Sequence, residues 1–366
     1  MQRGRVSPDI GEQVFAYAKA CGIIGKSFVG KRIPALGKIN SLNELKRLVF
    51  PDVFSELPGP ELLSDLENRI LRRTTRQILA VLNAYSNPPE LLVRQVRSYE
   101  YADLKTCLHH IAAGKPVPKT LSDIDRFGTV RFGAYPDLAA MLSGSEFEFI
   151  LAKDLNALKS VDDYLTSLET ELDLHYYTLL TESVKRLHPD DRQFVGQILA
   201  REISLRNCVW ALRLRTYFDK TPRETVQHLM DIEMHQGGDS GNVISLAVEA
   251  RGLLSFPPDF RPAWNGWRWE HLLNPEKAGE IWTVNPRHFQ NAASHYIYRQ
   301  VLHGFRNMPS SVTAIFCFLK LKQFEEDLLT SITEGLGLGM TGNEVFDLIE
   351  VPEGNLGLWP QRQVHQ

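Results

Sequence analysis

A thiol and two imidazoles lie close together at one point of the chain, where they could bind a metal or carry out thiol chemistry. Cys107 is followed by His109 and His110 in the segment YEYADLKTCLHHIAAGKP. Adjacent residues on a helix point about 100° apart, and no HExxH spacing follows, so the histidines do not make a metal-binding pattern. The four cysteines lie far apart and show no CxxC spacing. We therefore predict no metal site and no cofactor, and we interpret the cysteines as buried thiols in a reducing compartment.

Two further segments are similar to short motifs of known chemistry. GDSG at Gly238–Gly241 resembles the nucleophile segment of chymotrypsin-like proteases, but that fold is built from β-barrels and this chain is predicted to be helical on both sides. Gly335, Gly337 and Gly339 outline a nucleotide-binding loop, yet they follow a predicted helix, so a phosphate would meet the negative end of the helix dipole. We interpret the first segment as a Gly-rich turn and the second as helix termination. No catalytic constellation remains.

The segment Asp103–Leu108 fits better as one copy of a repeated pattern. DLKTCL at this position is similar to SLRNCV at Ser204–Val209 and to DLLTSI at Asp327–Ile332. A long segment with helical spacing opens 38 residues before Leu104, and another opens 37 residues before Leu205. The third copy is weaker, with HFQNAASHYIYRQVLHGF in the place of the long helix. We predict three similar helical units, in which Cys, Cys and Ser take the same small, buried position on a packed helix.

Length and composition fit a globular chain divided into such units. The 366 residues are 43% hydrophobic and 23% charged, which supplies ample apolar material for a core. The predicted units span 1–124, 125–235 and 236–350, and we predict a disordered tail at 351–366. The N-terminus shows no signal peptide, and no run approaches the roughly 20 apolar residues of a membrane span. We expect a protein that is cytoplasmic or bound to a membrane from that side.

Helix start signals recur along the whole chain. A Ser or Thr with Glu three residues later forms a capping box, and proline at the first helical position tolerates its missing N–H donor. Capping boxes are predicted at Ser41, Thr221 and Thr341, and proline starts at Pro60, Pro88, Pro189, Pro275 and Pro286. No comparable series of alternating strand patterns exists, and Arg126–Tyr135 is the best short extended segment. The predicted fold class is all-α.

Positive charge is concentrated at the N-terminal end of a chain whose net charge is -3. Residues 1–50 hold nine Lys/Arg against three Asp/Glu, and four of these cations crowd the segment GKSFVGKRIPALGK: Lys26, Lys31, Arg32 and Lys38. Glycines and a proline predict that this basic segment is a loop or a broken helix. It is either solvated surface or a contact for an acidic partner or anionic lipid head groups. Nucleic acid is not expected, because the chain is acidic and the segment lacks interleaved stacking aromatics.

A second group of cations follows the helix predicted to begin near Pro60. Residues at three- and four-residue intervals predict one buried face, made of Leu66, Ile70, Thr74, Ile78, Leu82 and Tyr85. On the other side of the same helix a basic stripe contains Arg69, Arg72, Arg73 and Arg76. Two interpretations are open for this stripe. It is a solvated face paired with Glu and Asp of neighbouring helices, or a docking surface for an acidic partner helix.

The segment Phe256–Trp269 reads FPPDFRPAWNGWRW and holds three of the six tryptophans. Three prolines in so short a stretch exclude a regular helix. We interpret the segment as a loop clamped to the protein body by its indoles. The alternative is an exposed aromatic contact for a partner or a membrane interface.

Several segments together resemble one protein family. FAYAKACGIIGKSFVGKRI, YEYADLK, REISLRNCVWALRLR and KQFEEDLLTSITEGLGLG are similar to the family of C subunits of V/A-type rotary ATPases, whose eukaryotic members are called d subunits. The resemblance covers most of residues 12 to 350. The Trp-rich segment and the weak third long helix depart from the family pattern. The resemblance implies an all-helical body of three similar units arranged as a funnel.

The resemblance also implies a function without an active site or a small-molecule substrate. Such a protein would sit on the cytoplasmic face of the membrane rotor ring and hold the foot of the central shaft. It would then couple ATP hydrolysis or synthesis to proton or sodium transport. Two other classes stay open. One is a free-standing helical adaptor with no ATPase partner, and the other is an enzyme, which would require an enclosed site of convergent His, Asp or Glu.

Overall fold

The computed structural model describes residues 9–52, 57–153, 162–235 and 243–351. The predicted Gly-rich turn at 238–241 and the predicted disordered tail from 352 onward lie outside the described residues. In chain order the α-helices are α1 (Ile10–Ile24), α2 (Pro34–Gly37), α3 (Leu42–Val49), α4 (Gly59–Leu82), α5 (Glu90–Val96), α6 (Ser98–Ala112), α7 (Leu138–Leu142), α8 (Asp162–Val184), α9 (Pro189–Tyr217), α10 (Pro222–Gln227), α11 (Val248–Leu253), α12 (Pro286–Asn307), α13 (Val312–Gly337) and α14 (Gly342–Leu348). The predicted all-α class is confirmed.

In the described part of the chain, extended structure is limited to β1 (Glu233–His235) and β2 (Val243–Ser245). The two strands pair antiparallel, with Met234 opposite Ile244. The segment Arg126–Tyr135, predicted to be extended, instead contains two single 3₁₀ turns, at Asp125–Phe127 and Phe132–Ala134. That prediction is wrong because the buried Glu100 carboxylate on α6 accepts the backbone N–H groups of Thr129 and Val130, which lie between the turns.

By contacts the chain forms two compact units. The terminal unit comprises described residues 9–86 and 298–351, and the central unit comprises the described residues between 87 and 297. In the terminal unit, α13 packs along α4, and both contact α1 and α3. In the central unit, α8 packs against α5, α6 and α9, and α9 also packs against α10 and α11. The two units are defined by contacts between residues, whereas the predicted threefold repetition is defined by sequence similarity. The contacts therefore do not test the repetition, which stays a prediction.

Capping chemistry determines where several helices begin. Thr221 and Thr341 each accept the N–H of the glutamate three residues on, whose carboxylate bonds back to the threonine, so both predicted capping boxes are present. Ser41 accepts the Glu44 N–H at 3.3 Å, but the Glu44 carboxylate accepts the N–H of Asn40, at 2.8 Å. The capping box at Ser41 is therefore only half formed, because the Glu44 carboxylate bonds the N–H of Asn40 instead of that of Ser41.

Four of the five predicted proline starts lead into helices. Pro60, Pro189 and Pro286 stand in the first turns of α4, α9 and α12, while α5 begins two residues after Pro88. The start at Pro275 is wrong, because Asn274 closes a loop there instead of capping a helix. Its amide donates to the Thr283 carbonyl at 3.0 Å, and its Oδ1 accepts the Asn285 N–H at 2.8 Å.

The burial predicted for one face of α4 is confirmed, although the last member, Tyr85, lies three residues beyond the end of the helix. The six members of this face are all almost inaccessible to solvent: Leu66, Ile70, Thr74, Ile78, Leu82 and Tyr85. The first two pack with Leu329, Ile332 and Leu336 of α13 in one core cluster. Burial of such aliphatic side chains contributes about 1.5–3 kcal/mol each, so the α4–α13 pair is a main source of stability in the terminal unit.

Glycines allow α13 and α14 to approach their neighbours closely. A Cβ on Gly335 would overlap Val345, and one on Gly337 would overlap Leu63. A Cβ on Gly342 would overlap the Leu36 carbonyl oxygen. The predicted helix termination is confirmed, because α13 ends at Gly337 and Gly339 has the positive φ (85°) of a helix end. The close approach to Val345 and Leu63 is a further role of Gly335 and Gly337 that was not predicted.

The Trp-rich segment lies in the central unit, and its interpretation as an indole-clamped loop is confirmed. Trp264, Trp267 and Trp269 are buried. The Trp264 indole N–H donates to the Pro257 carbonyl at 2.9 Å, and its ring meets that of Trp282 edge-on at 6.2 Å. The alternative of an exposed aromatic contact is wrong for these three indoles.

The cysteines are only partly as predicted. Cys107, Cys208 and Cys317 are buried, but Cys21 is exposed on α1. The matching residue of the third repeat copy, Ser331, is half-buried and donates its hydroxyl to the Asp327 carbonyl at 2.9 Å. The buried position is therefore shared by the first two copies, whereas the third holds its small residue at a helix surface.

Candidate docking surface

The four cations of the basic segment are exposed in the terminal unit. Lys26 follows the end of α1, Lys31 and Arg32 lie on a 3₁₀ turn, and Lys38 follows α2. Apolar residues between them point inward: Phe28, Val29, Ile33, Leu36 and Ile39 are all buried. The predicted loop or broken helix is confirmed, because the segment consists of short helical pieces. Alternation of buried and exposed residues holds the four charges at the surface.

A buried ion cluster attaches this segment to α13. The Glu325 carboxylate accepts the Phe28 backbone N–H at 2.8 Å and lies 3.4 Å from a guanidinium nitrogen of Arg73 on α4. Its other oxygen pairs with the ammonium of Lys322, which also donates to the Ser27 hydroxyl at 3.2 Å. One carboxylate thus joins α4, α13 and the basic segment. We call these three charged groups, Arg73, Lys322 and Glu325, the clamp.

Two of the three clamp residues are deeply desolvated. The side chains of Lys322 and Glu325 are each only 1% exposed. Burial lowers the pKa of Lys322, and the charge and hydrogen bond of Glu325 partly oppose that effect. A buried ion pair of this kind adds little net stability compared with apolar residues, but removal of one partner leaves an uncompensated buried charge. Loss of the Glu325 carboxylate would therefore leave the Lys322 charge uncompensated and remove one attachment of the basic segment.

Phe28 connects the basic segment to the arginine stripe. Its buried ring lies 5.2 Å from the guanidinium carbon of Arg32 and 6.0 Å from that of Arg73. Both distances are in the range of cation–π attraction. Gly30 adds a further attachment, since its N–H donates to the Tyr298 hydroxyl at 2.9 Å.

The arginine stripe of α4 divides into two kinds of residue. Arg69 pairs with Asp65 on its own helix at 2.6 Å, and Arg73 belongs to the clamp. Arg72 and Arg76 are exposed. Six of the eight predicted contact residues are therefore exposed: these two arginines and the four cations of the basic segment. Arg73 instead belongs to the clamp. The docking role of these residues stays a prediction.

Sequence reasoning missed Lys322 and Glu325, although a signal was present. Both lie in KQFEED, a charged run that suggests solvent exposure. Helix α13 is buried on all sides from Val312 to Lys322, and beyond that point the buried positions Glu325, Leu329, Ile332 and Leu336 continue from Lys322 at intervals of three and four. This period continues an apolar face straight through the two charges, and a charged pair within such a face indicates a buried ion pair.

The central unit holds two buried carboxylates on α6 that organise the segment after it. Glu100 accepts the N–H of Val130 at 2.5 Å and the hydroxyl of Thr129 at 3.2 Å. Asp103 accepts the Ser122 N–H at 2.7 Å and its hydroxyl at 3.2 Å. These bonds replace strand pairing for the backbone of this segment.

Burial raises the pKa of Asp103 from 3.8 to about 7 despite its bonds to Ser122. Between about pH 4 and pH 7 the folded protein therefore binds a proton that the unfolded chain releases, so Asp103 makes stability fall as pH rises through this range. In urea unfolding, we expect Asp103→Asn to lose about 1–3 kcal/mol less between pH 5 and pH 8 than the wild-type protein. The exposed Asp123→Asn is the control. Equal pH slopes for wild type and Asp103→Asn would contradict the assignment.

The two histidines of α6 have separate partners. His109 Nε2 lies 3.0 Å from a Glu169 carboxylate oxygen, and His110 Nδ1 lies 2.7 Å from the Pro116 carbonyl oxygen. Over the described ranges, no three His, Cys, Asp or Glu side chains are grouped so that they could hold a metal ion.

Within the same ranges, no helix has the length and apolar character needed to cross a membrane.

Comparisons with known proteins place most of the chain in one group. The model of a family described as ATP synthase (C/AC39) subunit matches residues 36–345. An uncharacterized protein of Treponema pallidum is 25% identical over 334 residues, which cover 89% of this chain and 93% of that protein. The C subunit of the A-type ATP synthase of Methanosarcina mazei is 24% identical over 167 residues, which cover 43% of this chain and 44% of that protein.

Proposed function

The chain belongs to the ATP synthase (C/AC39) subunit family, and from this membership we propose that it is a central-stalk subunit of a V/A-type rotary ATPase. In this role it links the rotating shaft to the membrane rotor ring, on the cytoplasmic side of the membrane. Rotation then couples ATP hydrolysis or synthesis to the transport of protons or sodium. The subunit itself performs no catalysis. The observation that carries the proposal is the family match over residues 36–345.

The physical character of the terminal unit supports a coupling role. A coupler that transmits torque needs stiffness, because a compliant element would store rotation as deformation. Two features of this unit oppose deformation. Helices α13 and α14 approach their neighbours closely, and the clamp attaches the basic segment to α13. The exposed cations of the basic segment are then held in fixed positions relative to α4 and α13.

The proposal assigns a docking role to the exposed cations Lys26, Lys31, Arg32, Lys38, Arg72 and Arg76. Exposed charges guide and orient association and contribute less at high salt. Arg69 and Arg73 would support this surface through Asp65 and Glu325 rather than contact the partner. The partner surface would be acidic, as polar loops of the ring or lipid head groups can be.

Affinity purification tests the proposal. We expect the tagged protein, recovered in mild detergent, to bring down shaft and ring subunits of an ATPase identifiable by mass spectrometry. The variant with Gln at Lys26, Lys31, Arg32 and Lys38 should recover less membrane sector at physiological salt, by about fourfold or more, because each exposed cation contributes about 0.2–1 kcal/mol. A matched variant with Gln at the exposed Lys185 and Arg223 of the central unit should retain it.

Two results would count against the proposal at different levels. Purification without any ATPase subunit would overturn the rotary role and favour a free-standing helical adaptor. Full recovery of the membrane sector by the four-residue variant would leave the rotary role intact but remove the basic segment from the docking surface.

A further inference from the structure

Helix α1 carries an exposed apolar face that neither the clamp nor the basic segment accounts for. Ile10 is 78% exposed, Val14 49% and Phe15 59%. Further along the same face Ala18 and Gly22 are also exposed. The opposite face of the helix is buried through Ala16 and Ala20. One full side of α1 is thus apolar and in contact with solvent, which is unusual for a helix of a globular protein.

Cations border this apolar face. The Lys19 ammonium lies 5.8 Å from the centroid of the Phe15 ring, and Lys26 follows the end of the helix. The remaining cations of the basic segment come next in the chain and are exposed. Near the helix start, the Glu12 carboxylate is occupied by the backbone N–H and hydroxyl of Ser86, at 3.0 and 2.7 Å.

Hydrogen bonds and ring contacts fix α1 and the basic segment to the rest of the terminal unit. The Ser27 hydroxyl donates to the Ile23 carbonyl in the last turn of α1, at 3.0 Å, and accepts from Lys322 of the clamp. On the other side of α1, the Tyr17 ring packs 5.6 Å from Phe305. Helix and basic segment therefore keep one relative geometry within the terminal unit.

We propose that this surface docks on an anionic lipid bilayer. Ile10, Val14 and Phe15 enter the head-group layer, while Lys19, Lys26 and the basic segment contact lipid phosphates. A helix face with Phe and aliphatic side chains beside Lys and Arg is the pattern of interfacial binding. A bilayer offers an apolar layer next to negatively charged head groups. Because it is fluid, it can accommodate protruding side chains without a complementary binding groove. The inference goes beyond the proposed function, because it is a property of the isolated chain.

Vesicle flotation of the full-length protein tests this inference. The probes are vesicles of phosphatidylcholine alone and vesicles with about 30% phosphatidylglycerol. We expect binding to the anionic vesicles only. Phe15→Glu should reduce it by about tenfold or more, and Lys26→Gln by about fivefold. Phe218→Glu is the matched control, since Phe218 is equally exposed, at 59%, in the central unit, and it should bind as wild type.

Two outcomes would overturn the inference. One is a wild-type protein that fails to float with anionic vesicles, and the other is equal binding by Phe15→Glu and wild type. If wild type does not float, and Phe15→Glu also loses ATPase subunits in the detergent purification, the face binds a protein helix instead. That purification contains no bilayer, so failure of the lipid inference and failure of the rotary role are distinguishable.

Discussion

Replacement of Glu325 by Gln is expected to destabilise the protein by about 3–5 kcal/mol, the largest effect we predict for a single side chain. The substitution leaves Lys322, only 1% exposed, without a counter-ion in the interior of the terminal unit. It also weakens the acceptor of the Phe28 N–H and the partner of Arg73. Denaturant unfolding followed by circular dichroism measures the loss.

Removal of both charges at once is expected to relieve part of this loss. In the double variant Lys322→Met/Glu325→Leu no unpaired Lys322 charge remains, and apolar side chains of similar volume fill the site, so part of the stability should return. The rest stays lost, because Arg73 and the Phe28 N–H still lack their acceptor. Glu334→Gln, at an exposed position of the same helix, should change stability by less than about 0.5 kcal/mol. A Glu325→Gln protein as stable as this control would show that the clamp is not a structural element.

Recovery of stability in the double variant need not restore docking. The apolar pair lacks the carboxylate that bonds the Phe28 N–H, so the basic segment would lose its attachment to α13. Stability and docking can therefore be measured separately in these variants. This separation distinguishes a clamp that positions the cations from one that only fills the core.

Local sequence signals were sufficient for much of the fold. Thr221 and Thr341 with their partner glutamates mark helix starts by chemistry that is complete within four residues, and the structure contains both boxes. The face of α4 was readable for a similar reason, because a three- and four-residue period needs no knowledge of the partner helix. The same holds for the Trp-rich segment, whose prolines excluded a helix.

Interactions between distant parts of the chain were not readable in this way. Phe28 and Glu325 are 297 residues apart in sequence. The Asn274–Pro275 pair has the composition of a helix start, but the Asn274 side chain bonds instead to Thr283 and Asn285. Glycines 335 and 337 likewise have meaning only beside Val345 and Leu63. Such roles are fixed by which elements meet, and no local pattern contains that information.

The second large effect concerns the complex, and it follows directly from the proposed coupling role. Without a protein that joins shaft to ring, the catalytic head can still hydrolyse ATP, but rotation no longer reaches the membrane sector. We therefore expect removal of this protein to leave ATP hydrolysis while ATP-driven ion transport falls to background. Restoring the wild-type chain should restore transport.

The most direct measurement compares both activities in the same membranes, prepared from cells that contain or lack the protein. ATP hydrolysis is followed by phosphate release, and ion transport by a pH-sensitive or sodium-sensitive dye. The proposed function predicts that hydrolysis persists and transport disappears when the protein is absent. Ion transport that continues at the wild-type rate without the protein would contradict it.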